Sequence, residues 1–313
     1  MASPGSAQTN ANADSQQVIE EALKPSPLEA NLRKLTDDIG GRVPGTAAMQ
    51  KAIAWGTAAF TAAGGENVHT EAFKIPASWS EGRTELAIHW QASRDSANQT
   101  GNTASFSPRV VSLAWAPPLA PHRGVPIIDV GNGSVDQFAR AGSLNGAIVL
   151  VHSEEMKTWE DLFAEYLNAP AIIDRAVKGK ALAIAFQSTR PHDLLYRHTN
   201  STSGEIDRLP MVLVAREDAS RMARLLADGQ KLRADISIPN QIGGPVSSAN
   251  VIAELKGSEK PNEFVILGAH LDSWELGTGA LDNGCNAALV IDALRAIKAS
   301  GIQPHRTIRF LLF

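Results

Sequence analysis

Apolar residues recur along this chain at two spacings, and the spacing changes with position. Leu28, Leu32, Leu35 and Ile39 fall at helical intervals. A second helix is predicted over 46–63, ended by Gly64-Gly65. Residues 68–75 and 84–90 alternate as strands do, and 110–115 resume a strand after a polar stretch at 95–107. From Val125 short strands trade with helices. Strands are predicted at 127–130, 146–152, 181–186, 209–214 and 231–238, and helices at 135–141, 159–178 (with Pro170 inside) and 216–228. Strands then follow at 248–255 and 263–269, a long apolar helix at 284–299, and a strand at 306–313. Strand, crossover helix and strand predict a parallel βαβ unit. The run Val265-Ile266-Leu267-Gly268-Ala269 reads as a buried strand.

Punctuation divides the pattern. Pro117-Pro118 through Pro121 and Gly243-Gly244-Pro245 border the middle block. Residues 122–240 are therefore predicted to be an α/β domain inserted into another, made of 18–121 and 241–313. Residues 1–17 are rich in Ala, Ser, Gly, Asn and Gln, which predicts a flexible leader; a short helix is expected over 15–23. Composition narrows the classes. A chain of 313 residues, 43% hydrophobic and 20% charged, is ordinary for a soluble globular protein. A net charge of -4 gives no reason to expect nucleic acid or an anionic membrane as partner. No apolar run approaches the roughly 20 residues of a membrane span. The single cysteine, Cys285, excludes a disulfide within the chain and a cysteine-based zinc site.

The chemistry concentrates late. The 263–269 strand runs into His270-Leu271-Asp272, and alternation puts His270 and Asp272 on one side. Asp282-Asn283-Gly284 opens the next helix, after a glycine loop at Gly277-Thr278-Gly279. All three polar side chains would then lie beyond the C-terminal end of a parallel strand, the usual ligand crevice of open α/β sheets. Imidazole with carboxylate suits Zn²⁺, and a carboxylate can bridge two ions. Asp282 could equally cap the helix. Cys285 reads as a small buried residue at the helix start, or as one that senses redox or lines the site. His152, His192 and His198 read as surface or hydrogen-bonded histidines, with His198 also able to face a substrate cleft. Trp274 would wall the pocket or pack. Arg42 and Arg190 read as surface residues, with a substrate carboxylate as the other use.

The segments 268–274 (Gly-Ala-His-Leu-Asp-Ser-Trp) and 277–284 (Gly-Thr-Gly-Ala-Leu-Asp-Asn-Gly) resemble the M28 family of zinc metallopeptidases, and within it the carboxypeptidase Q group and its bacterial relatives. Upstream, 35–45, 157–160 and 195–199 look like that group's N-terminal loop and its inserted protease-associated (PA) domain, so the resemblance covers roughly 25–313. It implies a three-layer α/β zinc-exopeptidase fold, incomplete at the C-terminus, with a PA-like insert. It implies His270 as a ligand of one zinc, Asp282 as a bridge between two, and Asp272 as the catalytic carboxylate that orients His270. The implied reaction is hydrolysis of dipeptides or terminal residues of short peptides by a water that two zinc ions activate. The family's Glu-Glu pair and later Asp and His would follow Phe313, so the chain reads as a truncated, inactive member. Secretion or a periplasmic location, and a homodimer, are also implied. Two alternatives share the scaffold: a glutaminyl-cyclase-like acyltransferase, which the insert disfavours, and a non-catalytic receptor-like binding protein.

Overall fold

The computed structural model describes residues 4–91, 103–197 and 205–313. Most of the polar stretch at 95–107, and His198, lie outside the described residues. Along the chain come α1 (Pro4–Ala22), α2 (Leu28–Arg33), α3 (Ala47–Ala62), β1 (Glu66–Ile75), β2 (Trp79–Ser80), β3 (Glu85–Gln91), β4 (Thr103–Phe106), β5 (Val110–Ser112) and β6 (Leu119–Asp129). Then follow α4 (Val135–Arg140), β7 (Ile148–Val151), α5 (Trp159–Lys178), β8 (Ala183–Gln187), β9 (Met211–Val214), α6 (Arg216–Ala227), β10 (Arg233–Ile238) and β11 (Gln241–Ile242). The chain closes with β12 (Val246–Leu255), β13 (Lys260–Ala269), α7 (Cys285–Ser300) and β14 (Arg306–Leu312). Two compact units result: residues up to Ser78 with Pro245–Phe313, and Trp79–Gly244.

The first unit is built on a sheet in the order β1-β12-β14-β13. β12 runs antiparallel to both its neighbours, and β14 runs parallel to β13, with Val265 opposite Ile308 and Leu267 opposite Phe310. The crossover between β13 and β14 is α7, as the strand–helix–strand pattern requires. Phe60 of α3, Ile291 and Leu294 of α7, and Val251, Phe310 and Leu312 of the sheet share one core with Leu35 and Leu271. α2 passes into a wider helical turn at Lys34–Ile39, which Gly40 ends with φ 78°.

Two expectations are corrected here. Among the described residues β13 lies at the sheet edge, where a buried strand is expected. Phe264, Val265, Ile266 and Leu267 are 47%, 51%, 61% and 41% exposed. Among the described residues it is the last strand in the sheet order, paired with β14. An apolar run reports what a strand would gain from burial, not what covers it. The N-terminal stretch is helical from Pro4, where a flexible leader was expected up to Gln17. Alanine, glutamine and glutamate are good helix formers, and proline is tolerated in a first turn. The end of α1 is anchored on α7: Gln17 Nε2 donates to the Ser300 carbonyl at 2.7 Å, and Arg295 Nη2 to that of Glu21 at 3.2 Å.

The second unit carries a sheet in the order β4-β3-β10-β6-β7-β8-β9-β5, with β6 to β9 parallel and the flanks antiparallel. Side chains of β7 alternate between two cores, Ile148 and Leu150 on one face and Val149 and Val151 on the other. The unit is wider than the 122–240 block drawn from the sequence, because β3, β4 and β5 pair into its sheet. α5 opens on a capping box between Thr158 and Asp161 and keeps Pro170 inside it.

Candidate metal centre

The first unit's chemistry begins where β13 ends. Pairing with β14 continues one step beyond the strand: the Leu271 N–H donates to the Phe313 carbonyl at 2.6 Å, and the Phe313 N–H to that of Ala269 at 3.1 Å. The chain stays extended there, so burial alternates. Leu271 and Ser273 point inward, while His270 and Asp272 are part-exposed on the other side. The expected placement of His270 and Asp272 on one side is observed, with imidazole Nδ1 3.0 Å from Asp272 Oδ1.

Asp282 completes the group. The glycine loop carries the chain back, and His270 Nε2 lies 3.0 Å from Asp282 Oδ1. Asp282 is 80% exposed at its side chain. It does not cap α7 with its side chain; no side-chain cap is formed at that helix start. The Asp282–Asn283 peptide is cis.

This donor set fits a cation. Nδ1 faces Asp272, and Nε2 faces a second carboxylate oxygen 3.0 Å away, a contact that a proton on Nε2 or a bound cation can bridge. Imidazole nitrogen plus carboxylate oxygen, with the ring oriented through its other nitrogen, is a zinc-type arrangement. It is also incomplete: among the described residues no three or more His, Cys, Asp or Glu side chains gather where a metal could be held.

The loop between His270 and Asp282 is held from a distance in sequence. Arg42 is fully buried. Its Nε donates to the Leu271 carbonyl at 2.8 Å, its Nη1 to those of Gly40 and Thr278 at 2.8 Å each, and its Nη2 to that of Gly279 at 3.2 Å. Burial lowers the Arg42 pKa below the usual guanidinium range, opposed by the charge of Asp272. The surface and substrate-carboxylate readings of Arg42 are both corrected. The chain is tight just before it: a Cβ on Gly41 would stand 2.7 Å from the Glu275 Cα.

The remaining candidates divide. Glu275, assigned no role from the sequence, is part-buried. Its Oε2 has no hydrogen-bond partner, and burial pushes its carboxyl above the usual range. Trp274 is exposed. Cys285 is part-exposed rather than buried, its Sγ 3.2 Å from the Leu281 carbonyl. In the second unit His152 is paired with Asp129 at 3.0 Å. Arg190 Nη1 donates to the Met156 carbonyl at 2.6 Å, and its guanidinium lies over the Tyr196 ring.

Residues 250–313 match the model of Peptidase family M28. That stretch holds β13, His270, Asp272, Asp282 and α7. Carboxypeptidase Q of Mus musculus is 28% identical over 285 residues, which is 89% of this chain and 56% of that protein. Carboxypeptidase Q of Homo sapiens is 27% identical over 90% of this chain and 57% of its own length. The chain thus spans little more than half the length of these relatives. Among solved structures, a peptidase M28 precursor from Shewanella amazonensis superposes with a TM-score of 0.80 at 24% identity, over 98% of this chain and 67% of that one. A zinc aminopeptidase from Bacillus subtilis gives 0.64 at 20% identity, over 91% and 60%. Both structures share the fold of this chain.

Proposed function

We propose that this chain belongs to a zinc-dependent exopeptidase of the M28 type acting on short peptides, with His270 and Asp282 as metal ligands and Asp272 orienting the imidazole. The observation that carries the reading is His270 held between two carboxylates, 3.0 Å on either side, at the C-terminal end of a parallel strand. Bound zinc would polarise a scissile carbonyl and lower the pKa of a water. The chain's own residues present the ligands: β13 aims His270, the Asp272 carboxylate fixes its tautomer, and the loop brings Asp282 back to it. Finer parts of the proposal rest on the likeness to carboxypeptidase Q. They are two ions bridged by Asp282, a PA-like role for the block within the second unit, a secreted or periplasmic location, and a homodimer.

The test is zinc titration of the chain by calorimetry, with His270→Ala and Asp282→Asn beside the wild type. Two ligands predict binding far weaker than the apparent ~10–16 kcal/mol of complete structural zinc sites. Either substitution should lower that affinity at least tenfold. Zinc binding that both variants retain would place the metal elsewhere and sink the proposal.

A further inference from the structure

We infer that Arg42 is a positioning residue for the metal-binding pair, a buried clamp that sets the loop on which His270, Asp272 and Asp282 are mounted. This rests on the metal-centre reading and extends it to a residue with no ligand atom.

A guanidinium has five N–H donors in a rigid plane. Arg42 directs them at four carbonyls: Gly40 beside it, and Leu271, Thr278 and Gly279 more than 200 residues away. Those three bracket the loop. Leu271 lies between His270 and Asp272, and Gly279 lies three residues before Asp282. One planar group thus fixes both ends of the segment that must bring Nε2 and Asp282 Oδ1 together. The main chain adds a reciprocal pair: the Arg42 N–H donates to Ser273 Oγ at 3.1 Å and the Ser273 N–H to the Arg42 carbonyl at 3.3 Å.

Burying a cation with carbonyl dipoles rather than a bonded carboxylate is costly for stability alone. An apolar side chain of the same size would fill the space without that cost. What it could not do is hold three carbonyls of a short, glycine-rich loop in one arrangement. The loop has little else to hold it: Leu276, Gly277 and Thr278 are exposed. Gly279, at φ 63°, presses against the clamp, and a Cβ there would come within 2.8 Å of Arg42 Nη2. Lysine keeps the charge but offers one nitrogen in place of a planar fork.

The experiment compares wild type, Arg42→Lys and Arg42→Ala in two measurements. The first is amide hydrogen exchange of the metal-free chain. Ser273 and Gly284, whose N–H groups bond the carbonyls of Arg42 and Gly279, should lose at least tenfold protection in both variants, while Val251 and Phe310 in the sheet keep theirs. The second is Co²⁺ titration followed by its visible absorption, with His270→Ala as reference. Affinity should fall about tenfold in Arg42→Ala, and millimolar guanidinium should recover part of it by refilling the vacated space, which a general loss of stability would not allow. Unchanged loop protection, or a loss shared equally by Val251 and Phe310, overturns the clamp. Cobalt binding equal in wild type and His270→Ala would instead overturn the metal-centre reading, and the exchange data would then judge the clamp by themselves.

Discussion

Among the described residues two histidines lie 3.0 Å from aspartates, and their surroundings separate them. His152 of the second unit turns Nε2 to both oxygens of Asp129, which also takes the Gly131 N–H at 2.7 Å. Each partner's charge is answered by the other. His270 uses both ring nitrogens, one on Asp272 and one facing Asp282. The first arrangement is closed and local to a strand end. The second is open, and it depends on a loop that Arg42 and two glycines keep in place. Distance between imidazole and carboxylate does not mark a metal site. In the proposed reading, what sets His270 apart is a second, solvent-facing carboxylate on its other nitrogen.

The largest effect expected from this contrast is at Gly279. Its φ is 63°, and a Cβ there would stand 2.4 Å from the Ser273 Cβ. Gly279→Ala should cost about 2–4 kcal/mol, combining left-handed strain with a clash against the Ser273 side chain, whose Cβ moves only with the backbone. Gly142 supplies the control, since its φ is 75° but nothing lies within 4 Å of a Cβ there. Gly142→Ala should cost only about 1–2 kcal/mol. Urea unfolding of both measures the difference. Equal costs would show that the loop is not constrained, and the contrast between the two histidines would lose its basis.

A second effect exchanges the two orienting carboxylates. Asp272→Asn should reduce zinc affinity by about 10–100-fold, the range expected when a ligand histidine loses its orienting partner. Asp129→Asn should leave zinc affinity unchanged. The measurement is competition with a chromophoric zinc chelator. A fall in affinity from Asp129→Asn would place the second histidine in the metal's environment and merge the two cases.

Much of this was legible in the sequence, and the exceptions have physical causes. The crossover from β13 through α7 to β14 follows from apolar runs separated by a helical period, and alternation alone put His270 and Asp272 on one side. Neither inference needs to know what lies beside the strand. The burial of β13 does need that knowledge: Val265 and Ile266 have the same hydrophobicity whether a neighbour covers them or, as observed, they are half-exposed. Arg42 was illegible for the converse reason. A charged side chain is ordinarily a surface one, and its partners are carbonyls, which every residue carries and no sequence pattern advertises. Asp282 fell between. Its spacing placed it at the crevice, but only the fold of the glycine loop decides between facing His270 and capping α7.

The smallest effect tests whether the closed pair is purely structural. The hydrogen bond to Asp129 raises the His152 pKa above its usual 6.5, with burial opposing. Burial acts to raise the Asp129 carboxyl, but the bonds from His152 and Gly131 outweigh it and hold the carboxyl below its usual 3.8. A raised histidine stabilises fully below its unfolded value and loses that contribution as pH climbs through the folded one. A lowered aspartate stabilises above its unfolded value and loses it as pH drops through the folded one. The pair's contribution is therefore greatest between about pH 4 and 6.5 and shrinks on both sides. His152 is 38% exposed at its side chain, so solvent limits the gain to about 1 kcal/mol. Unfolding of wild type and His152→Ala, compared from pH 3.5 to 8.5, should show a difference that peaks inside that window. A difference flat across the range would mean that His152 contributes packing alone, and the closed pair would no longer be an electrostatic counterpart to the open one.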